Sequence, residues 1–380
     1  MQLLIAGDLV PTKSNTDLFS NADTAALLGK ELLSLWNSTD IRIFNLEVPL
    51  TDKETPIAKC GPNLIASIKT IKGIKALNPS LLTLANNHIF DQGKQGIKST
   101  QCILNKNNIP FVGVGDNLYE ASKPYIFQQT GFKIGVYTCA EHEFSIATEN
   151  TYGANPFDYL ESLDHIRNLK AECDYVIVLY HGGKEHYRYP SPYLQKVCRK
   201  MVQKGADLVV CQHSHCIGCL EKYEGATIVY GQGNFLFDDS GSEYWKTSLL
   251  INIDIKDGLN IEYIPIVKSE NCVRLAKGEV AEEILLAFHK RSDEILQEGF
   301  IERQYEKFSQ ENYLLYIRNF FGLGKWLSRI DRRILNGMLV KRKYNKKRLL
   351  AMQNYIECEA HRELVLACLK GENVSERRKS

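Results

Sequence analysis

Six places along this 380-residue chain carry side chains able to offer an oxygen or imidazole donor to a metal ion: Asp8, Glu47, Asn87 with His88, His181, the pair His213 and His215, and Asn234. Each sits at or just after a short apolar run, at residues 3–6, 41–46, 81–85, 175–180, 208–211 and 227–230 respectively. Alone, each has an ordinary explanation. An Asp after a strand is a common turn or cap, a buried His is commonly a hydrogen-bonded core residue, and Asn favours left-handed turns. Jointly they point to a metal centre. In a layered α/β fold the carboxyl ends of the strands line one edge of a sheet, where ligands bind, whereas chance would scatter the donors over both edges. In an extended segment His213 and His215, two positions apart, would face the same way, so that both rings could reach one ion. Mixed carboxylate, amide and imidazole donors suit Mn²⁺, Fe²⁺ or Zn²⁺ better than Mg²⁺ or Ca²⁺. The expectation is a centre of one or two divalent transition metals.

The elements that must position these residues read as alternating strands and helices. Two further strand-like runs lie at 111–114 and 133–138, and helical patterns fall at 24–36, 66–76, 96–105, 159–170 and 193–203. Strands separated by helices form βαβ units and an α/β body. Runs at 248–255 and 260–267, joined around Lys256-Asp257-Gly258, predict a β-hairpin that closes this body with antiparallel pairing. Past about residue 275 the pattern becomes helical, over 280–297 and 300–321, and Gly371 to Ser380 reads as a polar, frayed end. The expected division is 1–270 for the α/β domain and 271–380 for a helical, basic C-terminal extension.

With 44% hydrophobic and 24% charged residues the chain can bury a core. Its 47 Lys plus Arg against 45 Asp plus Glu name no partner by net charge. The distribution says more, because residues 325–348 gather Lys325, Arg329, Arg332, Arg333, Lys341, Arg342, Lys343, Lys346, Lys347 and Arg348. This stretch is either a solvated helix face or a contact for acidic polymer, acidic lipid headgroups or an assembly partner. Nucleic acid is not the expected partner, since no aromatic-interleaved recognition motif accompanies the charge. No apolar run reaches the ~18 residues of a membrane span. The short apolar start runs straight into Asp8 without a basic leader, against a secretory signal, and the 11 scattered cysteines fit a reducing compartment. The expected location is cytoplasmic, with peripheral attachment at a membrane as the alternative. Cys216-Ile217-Gly218-Cys219 has no second Cys pair at zinc spacing and reads as structural.

The ordered motifs resemble a known family. Gly7-Asp8, Asn45-Leu46-Glu47-Val48-Pro49-Leu50-Thr51, Ala85-Asn86-Asn87-His88 with Asp91 and Gly93, and Gly113-Val114-Gly115-Asp116-Asn117 come first. His181-x-Gly183-x-Glu185 with Gln195, Ala206-Asp207 leading to His213-Ser214-His215, and Gly233-Asn234-Phe235-Leu236-Phe237 follow. Over roughly residues 1–267 the chain resembles the bacterial poly-gamma-glutamate capsule biosynthesis (CapA-like) family, a branch of the calcineurin-like metallophosphoesterase superfamily. The resemblance implies a four-layer αββα sandwich with metals at the strand ends. It makes Asp8 the first ligand, Glu47 the bridging carboxylate, Asn87 the amide ligand, and His181, His213 and His215 the later ligands. It moves His88 from ligand to the residue that protonates a leaving group or binds the substrate phosphate.

Three departures stand out. The superfamily's Asp-x-His opening reads Asp8-Leu9-Val10, so one metal site has a ligand fewer. His-Trp-Gly reads His181-Gly182-Gly183, and Glu-Tyr reads Glu185-His186. The implied chemistry is metal-assisted hydrolysis, in which water activated by a divalent cation attacks phosphorus in line. His88, positioned by Asp91 or a backbone carbonyl, would donate the proton to the leaving oxygen. Lys59, Glu185, His186 and Asn234 are the expected substrate contacts, Lys59 as a loop cation that either meets an anionic substrate or is merely solvated. The leading expectation is a metal-dependent hydrolase of capsule or exopolymer biosynthesis acting on a phosphoester or related anionic envelope substrate. The alternative is a non-catalytic metal-binding accessory component of a poly-gamma-glutamate or capsule assembly and export complex.

Overall fold

The computed structural model describes residues 1–129, 131–238, 241–256, 258–322 and 324–377. Its strands in chain order are β1 (Gln2–Val10), β2 (Ile41–Leu46), β3 (Leu81–Thr83), β4 (Phe111–Val112), β5 (Val114–Gly115), β6 (Tyr125–Gln129), β7 (Phe132–Ala140) and β8 (Gly153–Ala154). They continue with β9 (Tyr175–His181), β10 (Leu208–Gln212), β11 (Leu220–Tyr223), β12 (Ala226–Tyr230), β13 (Asn234–Phe237), β14 (Thr247–Ile255), β15 (Leu259–Ser269) and β16 (Cys272–Leu275). One sheet has the order β16-β15-β14-β1-β2-β3-β4, with β13 also paired to β1; a second runs β11-β12-β10-β9-β7-β6. Strands β1 to β4 pair in parallel, as do β7, β9, β10 and β12, and antiparallel strands close the flanks.

The side chains alternate along these strands and so build the layers. Leu3 and Ile5 of β1, Ile41 and Ile43 of β2, and Ile251 and Ile253 of β14 share one buried cluster with Ile177 and Leu179 of β9 and Leu208 and Val210 of β10. That cluster is the seam between the two sheets. Leu4, Ala6, Phe44 and Leu46 face the other way, onto Phe19, Leu27, Leu28, Trp36, Ile74, Ile97 and Leu104 of the first set of helices. On the second sheet Val176, Val178, Tyr180, Val209 and Cys211 meet Ile166, Leu169, Leu194, Val197, Cys198 and Met201. Three apolar seams separate four layers, helices–sheet–sheet–helices, as expected. Both faces of each central strand are covered, which is why these strands read as continuous apolar runs.

Several elements differ from their sequence pattern for local reasons. The helix expected over 24–36 is two, Thr24–Leu28 and Lys30–Asn37, because Gly29 between them adopts φ 72°. The run at 111–114 divides into β4 and β5 at Gly113, whose φ is 88° and where a side chain would lie 2.2 Å from Thr138 Oγ1. The hairpin is β14–β15; its turn residue Asp257 lies outside the described residues.

The chain divides into two compact units, Met1–Ile301 and Glu302–Ser380, against an expected division at 270/271. The helix Gly278–Glu294, assigned above to the extension, falls in the first unit because Phe288 is fully buried with Ile217 and Leu249. Ser292 Oγ also accepts from the Leu220 amide at 2.9 Å. The second unit is helical, with Lys325–Arg333, Met338–Lys343, Lys346–Glu357 and Glu359–Arg377. The end expected to fray is therefore helical as far as Arg377; residues 378–380 lie outside the described residues. Among the described residues no helix is long and apolar enough to cross a membrane.

Candidate metal centre

Parallel pairing brings the strand ends into register. Asp8 pairs with Asn45 of β2 and with Asn234 of β13, and His181 pairs with Gln212 and with Ala140. Asp8 is inside β1 rather than after it. The β1–β2 register shifts between Ala6 and Asp8, so Gly7 is an extra residue that re-aims the carboxylate. Glycine is required there: a Cβ would sit 2.0 Å from the Gly233 carbonyl oxygen. His213 and His215 differ from the extended segment expected. Both have positive φ, 77° and 54°, so two left-handed residues rather than a strand aim the rings. Such conformations cost on the order of 1–3 kcal/mol each and persist where surrounding structure fixes them.

The rings share one candidate group with Glu185, and each also enters another. His181 Nε2 lies 3.0 Å from Asn87 Oδ1, 3.2 Å from Glu47 Oε1 and 3.1 Å from His213 Nδ1. Glu47 is completely buried, and neither of its carboxylate oxygens has a hydrogen-bond partner among the described residues. A buried carboxylate left unsatisfied is costly. Lone-pair donors facing one another at this spacing are what an ion would relieve, since ligands about 2.0–2.2 Å from a metal stand roughly 3–3.5 Å apart. The second group is Asp8, Glu47 and His215, whose donor atoms lie within 4.8 Å of one another. His215 Nδ1 is 2.9 Å from Asn234 Oδ1. An amide oxygen only accepts, so Nδ1 carries the proton and the lone pair is on Nε2. Glu47 belongs to both groups. These residues fit one or two divalent cations, with Glu47 shared.

Burial pushes the Asp8 carboxyl up to about 7, with Glu47 adding to the rise, and the Glu47 carboxyl up to about 8. It pushes His181 and His213 below the ordinary imidazole range and His215 down to about 3. The pocket thus holds imidazoles neutral, the form that ligates, and disfavours carboxylates that lack a counter-charge.

Beside the two groups stands a hydrogen-bonded trio. His88 Nδ1 donates to Asp91 Oδ2 at 2.6 Å, and Lys59 Nζ pairs with Asp91 Oδ1. Lys59 is not a solvated loop residue: its side chain is 2% exposed, and Nζ lies 3.3 Å from His88 Nδ1. Asp91 Oδ2 also accepts from the Leu64 amide at 2.6 Å. His186, at φ 58°, accepts from Trp245 Nε1 at 2.9 Å and stacks on Tyr244, and Trp245 packs on His215 with ring centroids 4.7 Å apart. Glu185 offers a carboxylate within 4.8 Å of donors of His213 and His215. Asn234, expected as a substrate contact, holds His215 through its oxygen, while its Nδ2 is buried without a partner among the described residues.

Residues not singled out from sequence complete the centre. Asn86 Oδ1 accepts from the His88 and Ile89 amides, which fixes its Nδ2 as donor to Asn45 Oδ1 at 3.0 Å; Asn45 Nδ2 then donates to Asp8 Oδ1 at 2.8 Å. Glu141 Oε1 accepts from Gly183 N at 3.0 Å, and Glu143 Oε1 lies 3.9 Å from His213 Nε2. Both glutamates follow β7, so the strand-end reasoning would have found them had the run at 133–138 been included. Cys216 and Cys219 are buried, their thiols raised by burial, in keeping with a structural reading.

Residues 2–239 match the family described as bacterial capsule synthesis protein PGA_cap. The "PGA biosynthesis protein CapA" of Bacillus subtilis (strain 168) is 31% identical over 226 residues, 58% of this chain and 59% of that protein. A "probable polyglutamine synthesis accessory protein" of Mycobacterium tuberculosis (strain ATCC 25618 / H37Rv) is 26% identical over 234 residues, 56% of this chain and 60% of its own length. The chain thus spans a little over half the length of these curated relatives. Among solved structures, a phosphatase of Mycoplasma pneumoniae superposes with TM-score 0.45 at 16% identity, covering 71% of this chain and 94% of that one, a likeness that carries no chemical argument.

Proposed function

Because the chain belongs to the bacterial capsule synthesis protein PGA_cap family, we propose that it is a metal-dependent hydrolase acting on a phosphoester or a related anionic bond of a cell-envelope polymer. The observation that carries this reading is the facing set of Glu47, Asn87, His181 and His213, with separations of 3.0–3.2 Å about His181 Nε2 and an unsatisfied buried carboxylate among them. When bound, one or two divalent transition cations supply an activated water near neutral pH and neutralise charge on an anionic substrate.

The chain's own residues supply the rest. Asp8, Glu47, Asn87, His181, His213 and His215 hold the cations, and the Asn86–Asn45 relay holds Asp8 in place. Asp91 accepts from His88 Nδ1, which leaves Nε2 as the atom that exchanges a proton with a leaving oxygen. Lys59, paired with Asp91, holds that carboxylate in place and so keeps the ring oriented. In this reading Lys59 acts on substrate through His88 rather than by direct contact. The aromatic wall of Trp245 and Tyr244 with His186 bounds the rim and limits water.

The second reading is a metal-binding accessory component of a polymer assembly complex, without turnover. It is favoured by the accessory role in the name of the Mycobacterium relative and by Val10 standing where the superfamily places a ligand. In either case residues 325–348 are the proposed contact for an acidic partner, a membrane surface or an assembly subunit. That stretch has one acidic residue, Asp331, which is buried and committed to Arg318 and the Leu339 amide. Trp326, Leu327 and Ile330 stand exposed on the same helix. The readings separate in an assay of Mn²⁺-loaded protein on an aryl phosphodiester and monoester beside Asp8→Ala and His213→Ala. Turnover lost in both variants supports the hydrolase. Retained metal without turnover in the wild type rejects it for the accessory role.

A further inference from the structure

Three sets of donor atoms lie within 4.8 Å of one another: Glu47, His181 and His213; Asp8, Glu47 and His215; and Glu185, His213 and His215. Asn87 adds an amide oxygen to the first, which makes four donors there against three beside Asp8. Of the nearby polar groups, Glu143 Oε1 lies 3.9 Å from His213 Nε2, on the four-donor side, and three others are already engaged. Asn234 Oδ1 accepts from His215, Asn45 is spent between Asp8 and Asn86, and Glu141 Oε1 accepts from Gly183 N. Val10, two residues after Asp8, lies in the apolar core.

Glu185 is placed differently. Its carboxylate lies within 4.8 Å of donor atoms on both His213 and His215, one histidine from each group. Its side chain is 45% exposed, whereas Glu47, which also belongs to both groups, is completely buried. The arm that carries Glu185 is fixed at both ends. Gly183 N donates to Glu141 Oε1 at 3.0 Å, His186 N donates to the Ser214 carbonyl at 2.9 Å, and His186 Nε2 accepts from Trp245 Nε1 at 2.9 Å. The positive φ values of Gly183 (109°) and His186 (58°) turn this arm back over the His213–His215 turn. A carboxylate on an unconstrained loop would have no such anchors.

We infer that Glu185 is a metal ligand rather than a substrate contact: with His213 and His215 it would supply a further carboxylate donor to the centre from its solvent-exposed side. The inference rests on the metal centre proposed above, but not on hydrolysis. A carboxylate can bridge two cations as Glu47 can, so a dinuclear centre forms without a histidine at position 10.

The test is titration of metal-stripped full-length protein with Mn²⁺, following bound metal by equilibrium dialysis and the spin-coupled Mn²⁺ pair by electron paramagnetic resonance. Wild type takes up two equivalents and gives the coupled spectrum. Glu185→Gln keeps the stronger equivalent, weakens the other at least tenfold and loses the coupled signal, while Glu185→Asp recovers part of both. Thermal unfolding of each stripped variant identifies any loss that comes from misfolding. Glu185→Gln binding two equivalents with wild-type affinity overturns the assignment, as does a wild type that saturates at one. Two bound equivalents without turnover would defeat the hydrolase reading and leave this assignment standing.

Discussion

His88 Nδ1 donates a hydrogen bond to Asp91, so in the proposed mechanism proton exchange with a leaving group rests on Nε2. His88→Asn should therefore lower kcat on the aryl phosphodiester by roughly a hundredfold or more and leave bound metal unchanged. An undiminished kcat would remove His88 from the proton transfer. The candidate ligand carboxylates make a different prediction, for the stripped protein. Folded Asp8 and Glu47 titrate near 7 and 8, against ordinary values of 3.8 and 4.5. The native state then binds more protons than the unfolded chain between these limits, so their contribution to stability is greatest at low pH and is lost as pH rises through 7 and 8. The buried histidines act oppositely: their folded values are depressed from 6.5, so they make stability rise with pH, but only up to about 6.5. Above that the two carboxylates act, joined towards pH 8.5 by the buried thiols, whose values burial also raises from 9.0. Thermal scans of stripped protein should show Tm falling from pH 6.5 to 8.0, and saturating Mn²⁺ should remove most of the fall because the cation favours the ionised carboxylates. A Tm of stripped protein that rises over that window would contradict the assigned burial.

At the scale of elements, the centre depends on how β1 approaches its neighbours. Gly7 is the bulge that turns Asp8 inward and lies against the Gly233 backbone, where a methyl group would come within 2.0 Å of the carbonyl oxygen. Gly7→Ala should cost about 1–3 kcal/mol or more by overpacking, read as a lower urea midpoint, and should weaken metal uptake because β13 carries Asn234 on the displaced backbone. Unchanged stability and uptake would show that the bulge has slack. The strand ends were legible in the sequence because apolar runs on doubly covered strands stop abruptly at polar residues. The way His213 and His215 reach the centre was not. Spacing suggested an extended strand, but left-handed backbone at both residues aims the rings, which share one group with Glu185 and each also enter a second. Lys59 was equally obscure: its burial depends on Asp91, 32 residues away in sequence, and on a loop with no periodic pattern.

The whole molecule comprises a four-layer body to Ile301 and a helical unit beyond it. The order of motifs made the body legible. The boundary was harder, because the helix Gly278–Glu294 has the periodicity of the later helices and only its contacts, through Phe288 and Ser292, assign it to the body. The basic unit carries its own prediction. Replacing Arg329, Arg332 and Arg333 together by Glu in the full chain should abolish co-sedimentation with vesicles containing anionic lipid while bound metal stays unchanged. Equal binding by wild type and variant would reject electrostatic contact through this helix. Whether the converging donors hold a transition metal is decided by elemental analysis of full-length protein stripped with chelator and reconstituted with Mn²⁺. At least one equivalent per chain is expected, with uptake abolished or strongly weakened in His213→Ala. Clearly substoichiometric metal in the reconstituted wild type, or undiminished uptake in His213→Ala, would contradict this expectation.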